Sequence, residues 1–100
     1  MKISILLPYK ENFSPDYPGA VSLFVYETTR ISRYKKDITV FGNTDFKKKF
    51  KLKYKNITLK KKVFSSQTKD YVKKFINLDR DTNSTIIEIH NRPSYVHILQ

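Results

Sequence analysis

Apolar positions along the chain fall into short, well-separated groups. Lys2 to Leu7 is rich in β-branched and aliphatic residues and is stopped by Pro8. Such a run reads as a buried strand. Pro8 to Pro18 holds three prolines with Asn, Ser and Asp, which predicts a loop. Loops of this length in compact domains are often functional. From Gly19 to Tyr34 the period changes. Ala20, Phe24, Glu27, Ile31 and Tyr34 share one helical stripe, widened by Val21, Val25 and Thr28, so a helix with a broad buried face is expected. Asp37 to Phe41 is a second strand, closed by Gly42-Asn43.

Phe46 to Lys62 carries nine lysines, with aromatics at Phe46, Phe50 and Tyr54. Ile57-Thr58-Leu59 is its one convincing strand. A second helix starts at Ser65-Ser66. Tyr71, Val72, Phe75, Ile76 and Leu78 form its apolar face, and Lys69, Lys73, Lys74, Asn77 and Arg80 form the other. Thr85 to Ile89 is the most β-like stretch. His90-Asn91-Arg92 is a tight loop, and Pro93 suits the first position of a further helix over Ser94–Gln100.

Strands alternating with helices predict an α/β domain with a mostly parallel sheet of about four strands. The commonest strand order for this pattern is 3-2-1-4. Ligands bind outside the carboxyl ends of such strands, where the order reverses. The Pro8–Gly19 and His90–Pro93 loops are therefore expected to converge on one crevice.

Length and composition narrow the possibilities. One hundred residues allow one small domain, and thirty Leu, Ile, Val and Phe residues are enough for a core. No Cys is present, which excludes disulfides and thiolate metal sites, and two histidines make any metal site improbable. No apolar run approaches the ~20 residues of a membrane-spanning helix. Pro8 and the charge after it are unlike a secretory leader. The net charge is +11, from sixteen lysines and four arginines against nine acids. A surface rich in Lys suits phosphate, whether in lipid headgroups or nucleic acid, yet phosphate-reading sites favour Arg. Abundant Lys, Ile and Asn with only two glycines is also what AT-rich coding sequence produces.

Several residues could carry chemistry. Gly19, at the start of the first helix, permits close approach to its free N–H groups, although a lone Gly after Pro is more often a plain helix start. There is no G-x-G-x-x-G or Walker motif. His90 lies where a strand meets its loop. Alternation puts Ile86, Glu88 and His90 on one face, about 7 Å separating the acid from the imidazole. Glu88 is an acid in a buried strand, which is unusual. Arg92 could clamp a carboxylate or phosphate. The Phe46–Lys62 segment could stack bases, bind anionic headgroups, or be a solvated loop with its aromatics turned inward. No Ser lies on a nucleophile elbow.

The segments Lys2-Ile3-Ser4-Ile5-Leu6-Leu7-Pro8-Tyr9, Pro18-Gly19-Ala20-Val21-Ser22 and Ile86-Ile87-Glu88-Ile89-His90-Asn91-Arg92-Pro93 resemble the amino-terminal region of bacterial group 1, or family four, glycosyltransferases. These are retaining enzymes with two Rossmann-like domains facing across a cleft. The resemblance implies that residues 1–100 are an incomplete, acceptor-side Rossmann-like domain of three layers, with the donor domain absent. It implies transfer from a nucleotide-sugar to a glycan or lipid-linked acceptor, without metal or other cofactor. His90 would be catalytic, and Tyr9, Lys10, Gly19, Ala20, Asn91 and Arg92 would contact substrate. Ala20 stands where the family's loop usually has a second Gly. The family's Glu-x7-Glu motif has no counterpart among Glu11, Glu27 and Glu88, so the chain alone is expected to be inactive. The resemblance implies a cytoplasmic protein, peripheral at the inner face of the plasma membrane. The alternative is a small basic module for nucleic acid or an anionic membrane surface.

Overall fold

The computed structural model describes residues 2–45, 47–59, 67–82 and 86–89. Strand β1 (Ile3–Leu6) leads through the proline-rich loop to helix α1 (Ala20–Arg30). A 3-10 turn (Lys35–Asp37) opens into β2 (Ile38–Gly42). Then come β3 (Tyr54–Asn56), α2 (Gln67–Thr82) and β4 (Ile86–Ile89). The strands form one sheet in the order β3-β2-β1-β4, and every pairing is parallel. The chain is thus an α/β domain of Rossmann-like type with the expected strand order. Among the described residues, no helix is long and apolar enough to cross a membrane.

Alternation along β1 divides the core in two. Ile5 and Leu7 point to one side, where they meet Phe13, Val25 of α1, Ile38 and Val40. Leu6 points to the other, against Phe41, Ile57 and the α2 residues Tyr71, Val72 and Phe75. Neighbouring strand residues face opposite ways, so the two helices cover opposite faces of the sheet. α2 follows its sequence period: Tyr71, Val72 and Phe75 are buried, whereas Lys69, Lys73, Lys74, Asn77 and Arg80 are exposed. It adds two polar ties to β1. The Ser4 hydroxyl donates to Asp79 Oδ1 at 2.6 Å. The Tyr71 hydroxyl donates to the Leu7 carbonyl at 2.6 Å.

Three local expectations are corrected. α1 does not bury the Ala20–Tyr34 stripe. Its buried residues are Ser22, Val25 and Thr29, while Phe24 and Ile31 are 59% and 74% exposed. With Ser22, Val25 and Thr29 turned inward, the helical period carries Phe24 and Ile31 to the outer side. The helix also ends at Arg30 rather than Tyr34, since the Ser32 hydroxyl accepts the Tyr34 N–H at 3.1 Å and turns the chain. Second, β3 is Tyr54–Asn56 rather than Ile57–Leu59. The Val40 N–H reaches the Lys53 carbonyl and the Ile57 N–H reaches the Gly42 carbonyl, so pairing begins earlier and closes at Ile57. In the described sheet β3 is at an edge, where an outward Lys55 is no obstacle. Third, Glu88 is exposed on β4. Ile86 and Ile87 are also 46% and 44% exposed, because β4 pairs only with β1 among the described residues. The helix expected over Ser94–Gln100 lies outside the described residues.

Replacing Tyr71 by Phe keeps the ring in the core and removes the hydroxyl that donates to Leu7. A buried carbonyl without its partner costs about 1–3 kcal/mol. Urea unfolding of Tyr71→Phe should show a loss of that size with an unchanged m-value; wild-type stability would show that the bond contributes nothing.

Candidate functional site

At the carboxyl ends of β1, β2 and β3 the chain leaves a pocket of about 250 Å³. Its lining is Tyr9, Lys10, Asn43, Asp45, Asn56, Thr58 and Leu59. Each strand contributes through the residues that follow or end it. After β1, Tyr9 sets its ring 5.4 Å from that of Tyr71. Lys10 then takes a left-handed backbone conformation, φ 64°. A residue other than Gly held there carries strain of about 1–3 kcal/mol, and such positions gather at ligand sites. The Lys10 ammonium lies 5.6 Å from the centre of the Tyr9 ring.

The two amides are oriented by the backbone around them. Asn43 Nδ2 donates to the Ile57 carbonyl at 2.7 Å, which leaves its Oδ1 as an acceptor. Asn56 Oδ1 accepts the Thr44 N–H at 2.8 Å and lies 2.8 Å from the Tyr54 hydroxyl. Its Nδ2 is thereby left as a donor. Asp45 is exposed beside them. The pocket thus presents an acceptor at Asn43, a donor at Asn56, a carboxylate, an ammonium and an aromatic face. Its lining holds one cation and one anion, so it has no net formal charge.

Below the pocket a polar cluster ties the loops together. Thr44 Oγ1 accepts the Phe13 N–H at 3.0 Å and lies 2.8 Å from the Tyr54 hydroxyl. The Tyr54 ring stacks on Phe13 at 5.1 Å. Burial pushes the Tyr54 phenol up to about 12, against hydrogen bonds with Thr44 that pull it down. Phe13 is fully buried although it sits within the proline-rich loop. It fastens that loop to the sheet, and Asn12 shapes the tip by donating to the Asp16 and Tyr17 carbonyls, both at 2.7 Å.

Of the residues expected at the site, Tyr9 and Lys10 line this pocket, but Gly19 and Ala20 do not. Gly19 is the N-cap of α1, in an ordinary extended conformation. A Cβ there would lie 1.3 Å from Glu11 Oε2, the end of a flexible side chain that can swing away, so Glu11 occupies the space beside Gly19 without requiring Gly. The first turn of α1 has no acid of its own, and Glu11 brings a carboxylate to that positive helix end from the preceding loop. A phosphate approaching Gly19 has to displace it. Ala20, the first residue of α1, is exposed. His90, Asn91 and Arg92 lie outside the described residues, as does Phe46.

In the basic segment, Phe50 and Tyr54 turn inward. Phe50 stacks on Tyr26 with ring centres 4.1 Å apart, and Tyr54 stacks on Phe13. These two rings are engaged within the domain rather than open to bases. Sequence reasoning did not single out Asn43, Asp45, Asn56 or Thr58. The available signal was position: Gly42-Asn43 closes a predicted strand at its carboxyl end, where ligands bind in parallel sheets.

The chain matches no protein-family model, no curated protein and no solved structure.

The raised Tyr54 value predicts a pH dependence. Folding favours the neutral phenol, so this contribution is complete below the ordinary value of 10.0 and is lost as pH rises through about 12. Ultraviolet titration should find an absorbance change near that pH that Tyr54→Phe removes. Tyr54 ionising together with the exposed tyrosines would contradict the burial.

Proposed function

We propose that this chain is the acceptor-side sheet domain of a glycosyltransferase, and that the pocket holds a saccharide ring. The observation that supports this best is the charge-balanced, mixed polar lining. A sugar offers hydroxyls that both donate and accept, with an apolar face of C–H groups. Asn43 Oδ1 and Asp45 accept, Asn56 Nδ2 and Lys10 donate, and Tyr9 offers a ring for the C–H face. A nucleoside diphosphate makes a different demand, for excess positive charge or several N–H groups. Asp45 opposes it here, and Glu11 occupies the amino end of α1. The pocket therefore suits the acceptor better than the donor.

In this reading the nucleotide-sugar binds largely through a second domain, and the reacting centre lies in the cleft between the two. The acceptor hydroxyl gains by being held in place, since positioning supplies much of the rate in such a two-substrate reaction. The resemblance assigns the catalytic role to His90, which directly follows β4 in sequence, with Asn91 and Arg92 beside the substrate. The acceptor is a glycan or the sugar of a lipid-linked intermediate.

Heteronuclear NMR titration with a panel of methyl glycosides and disaccharides, and with UDP for comparison, tests the assignment. Saccharides should shift the side-chain amides of Asn43 and Asn56. Asp45→Ala should weaken binding about tenfold or more, the effect of losing one charge-assisted hydrogen bond. Shifts caused by UDP alone, or none with any saccharide, would refute the acceptor assignment.

A further inference from the structure

Lys10 holds a backbone conformation that its residue type rarely adopts. At φ 64°, Gly would sit without cost, and Asn or Asp at less cost than Lys. The chain instead keeps a lysine there, and the strain sets an ammonium on the rim of the pocket. Neighbouring groups fix it further. The ammonium lies 5.6 Å from the centre of the Tyr9 ring. That ring packs against Tyr71, whose hydroxyl is tied to the Leu7 carbonyl. Among the described residues the ion pair is Glu27–Arg30 of α1, so Lys10 has no carboxylate partner there. Asp45 lines the same pocket yet does not come within ion-pair distance of Lys10. A second cation stands at the border: Lys74 of α2 donates to the carbonyl of Thr58, another lining residue.

We infer, on the reading that the pocket holds a saccharide ring, that this sugar carries a carboxylate, as a uronic acid does, and that Lys10 reads it. Asp45 and the two amides are then left to the hydroxyls. A neutral sugar leaves the ammonium with weaker partners, since a bond from an ammonium to a carboxylate is about twice as strong as one between neutral groups. An amino sugar could be met by Asp45, but it would bring a third cation beside Lys10 and Lys74. The +11 charge of the chain acts in the same direction, drawing an anion towards the domain and repelling an ammonium. One carboxylate asks for one cation, which Lys10 supplies; a diphosphate asks for more.

NMR titration near neutral pH with methyl glucoside, methyl glucuronide and methyl glucosaminide tests this. The glucuronide should bind about tenfold tighter than the glucoside, the effect of one charge-assisted hydrogen bond, and the preference should shrink as salt rises. Lys10→Gln should remove the preference while leaving glucoside binding in place. Lys10→Gly, which relieves the backbone, should lose the preference as well. Lys36→Gln, at the amino end of β2 and so on the opposite edge of the sheet, should keep it. Equal binding of glucoside and glucuronide, with the Asn43 and Asn56 amides shifting in both, overturns the carboxylate assignment and leaves the saccharide reading standing. Tighter binding of the glucosaminide overturns it too, as does a preference that Lys10→Gln retains or that Lys36→Gln lowers equally. Binding of none of the three overturns the saccharide reading and the carboxylate assignment together.

Discussion

β1 is paired on both sides, by β2 and β4, and its side chains alternate into both hydrophobic clusters. β2 is paired on both sides as well, by β1 and β3, and also feeds both clusters, so β1 and β2 together form the centre of the sheet. Four residues, Ile3–Leu6, set the register of two strands directly, β2 and β4, and that of β3 through β2. Leu7, just beyond, receives the Tyr71 hydroxyl and donates its N–H to the Phe41 carbonyl at 2.9 Å. Burying Ile5, Leu6 and Leu7 contributes about 1.5–3 kcal/mol each. A substitution in β1 therefore acts on both layers at once.

The pocket inherits its geometry from this arrangement. Because β1, β2 and β3 are parallel, their carboxyl ends finish on the same edge, and the Tyr9-Lys10, Asn43-Asp45 and Asn56-Thr58 segments meet there. The same parallel order places the positive end of α1 at this edge, where Glu11 meets it. Phe13 anchors the long loop by burial, so the strained Lys10 backbone is held between two fixed points, β1 and Phe13. The apolar side of α1 has a related cause. With Ser22, Val25 and Thr29 facing the core, the 3.6-residue period puts Phe24 and Ile31 on the outer side of the helix.

Elements buried on both sides were legible in the sequence. β1 and β2 are largely aliphatic or β-branched runs, broken only by Ser4 and Thr39 and ended by Pro8 and by Gly42-Asn43, and α2 shows a clear helical period. Reading failed where one pattern allowed two packings. α1 carries apolar residues around most of its circumference, so periodicity alone could not tell the Phe24–Ile31 side from that of Val25. β3 is an edge strand whose pairing follows backbone bonds rather than its apolar residues. The Ser4–Asp79 bond joins residues 75 apart in the chain, and no local pattern announces it. The pocket was half legible. Tyr9 and Lys10 follow a recognisable strand, whereas Asn43 and Asn56 look like ordinary loop amides until the sheet brings them together.

The central claim is that β1 lies between β2 and β4 in parallel register, and backbone NMR tests it most directly. Through-space contacts should connect Ile5 with both Val40 and Glu88, and Leu6 with both Phe41 and Ile89, as the register requires. Contacts from β1 to only one neighbour, or an antiparallel pattern with either, would contradict the account.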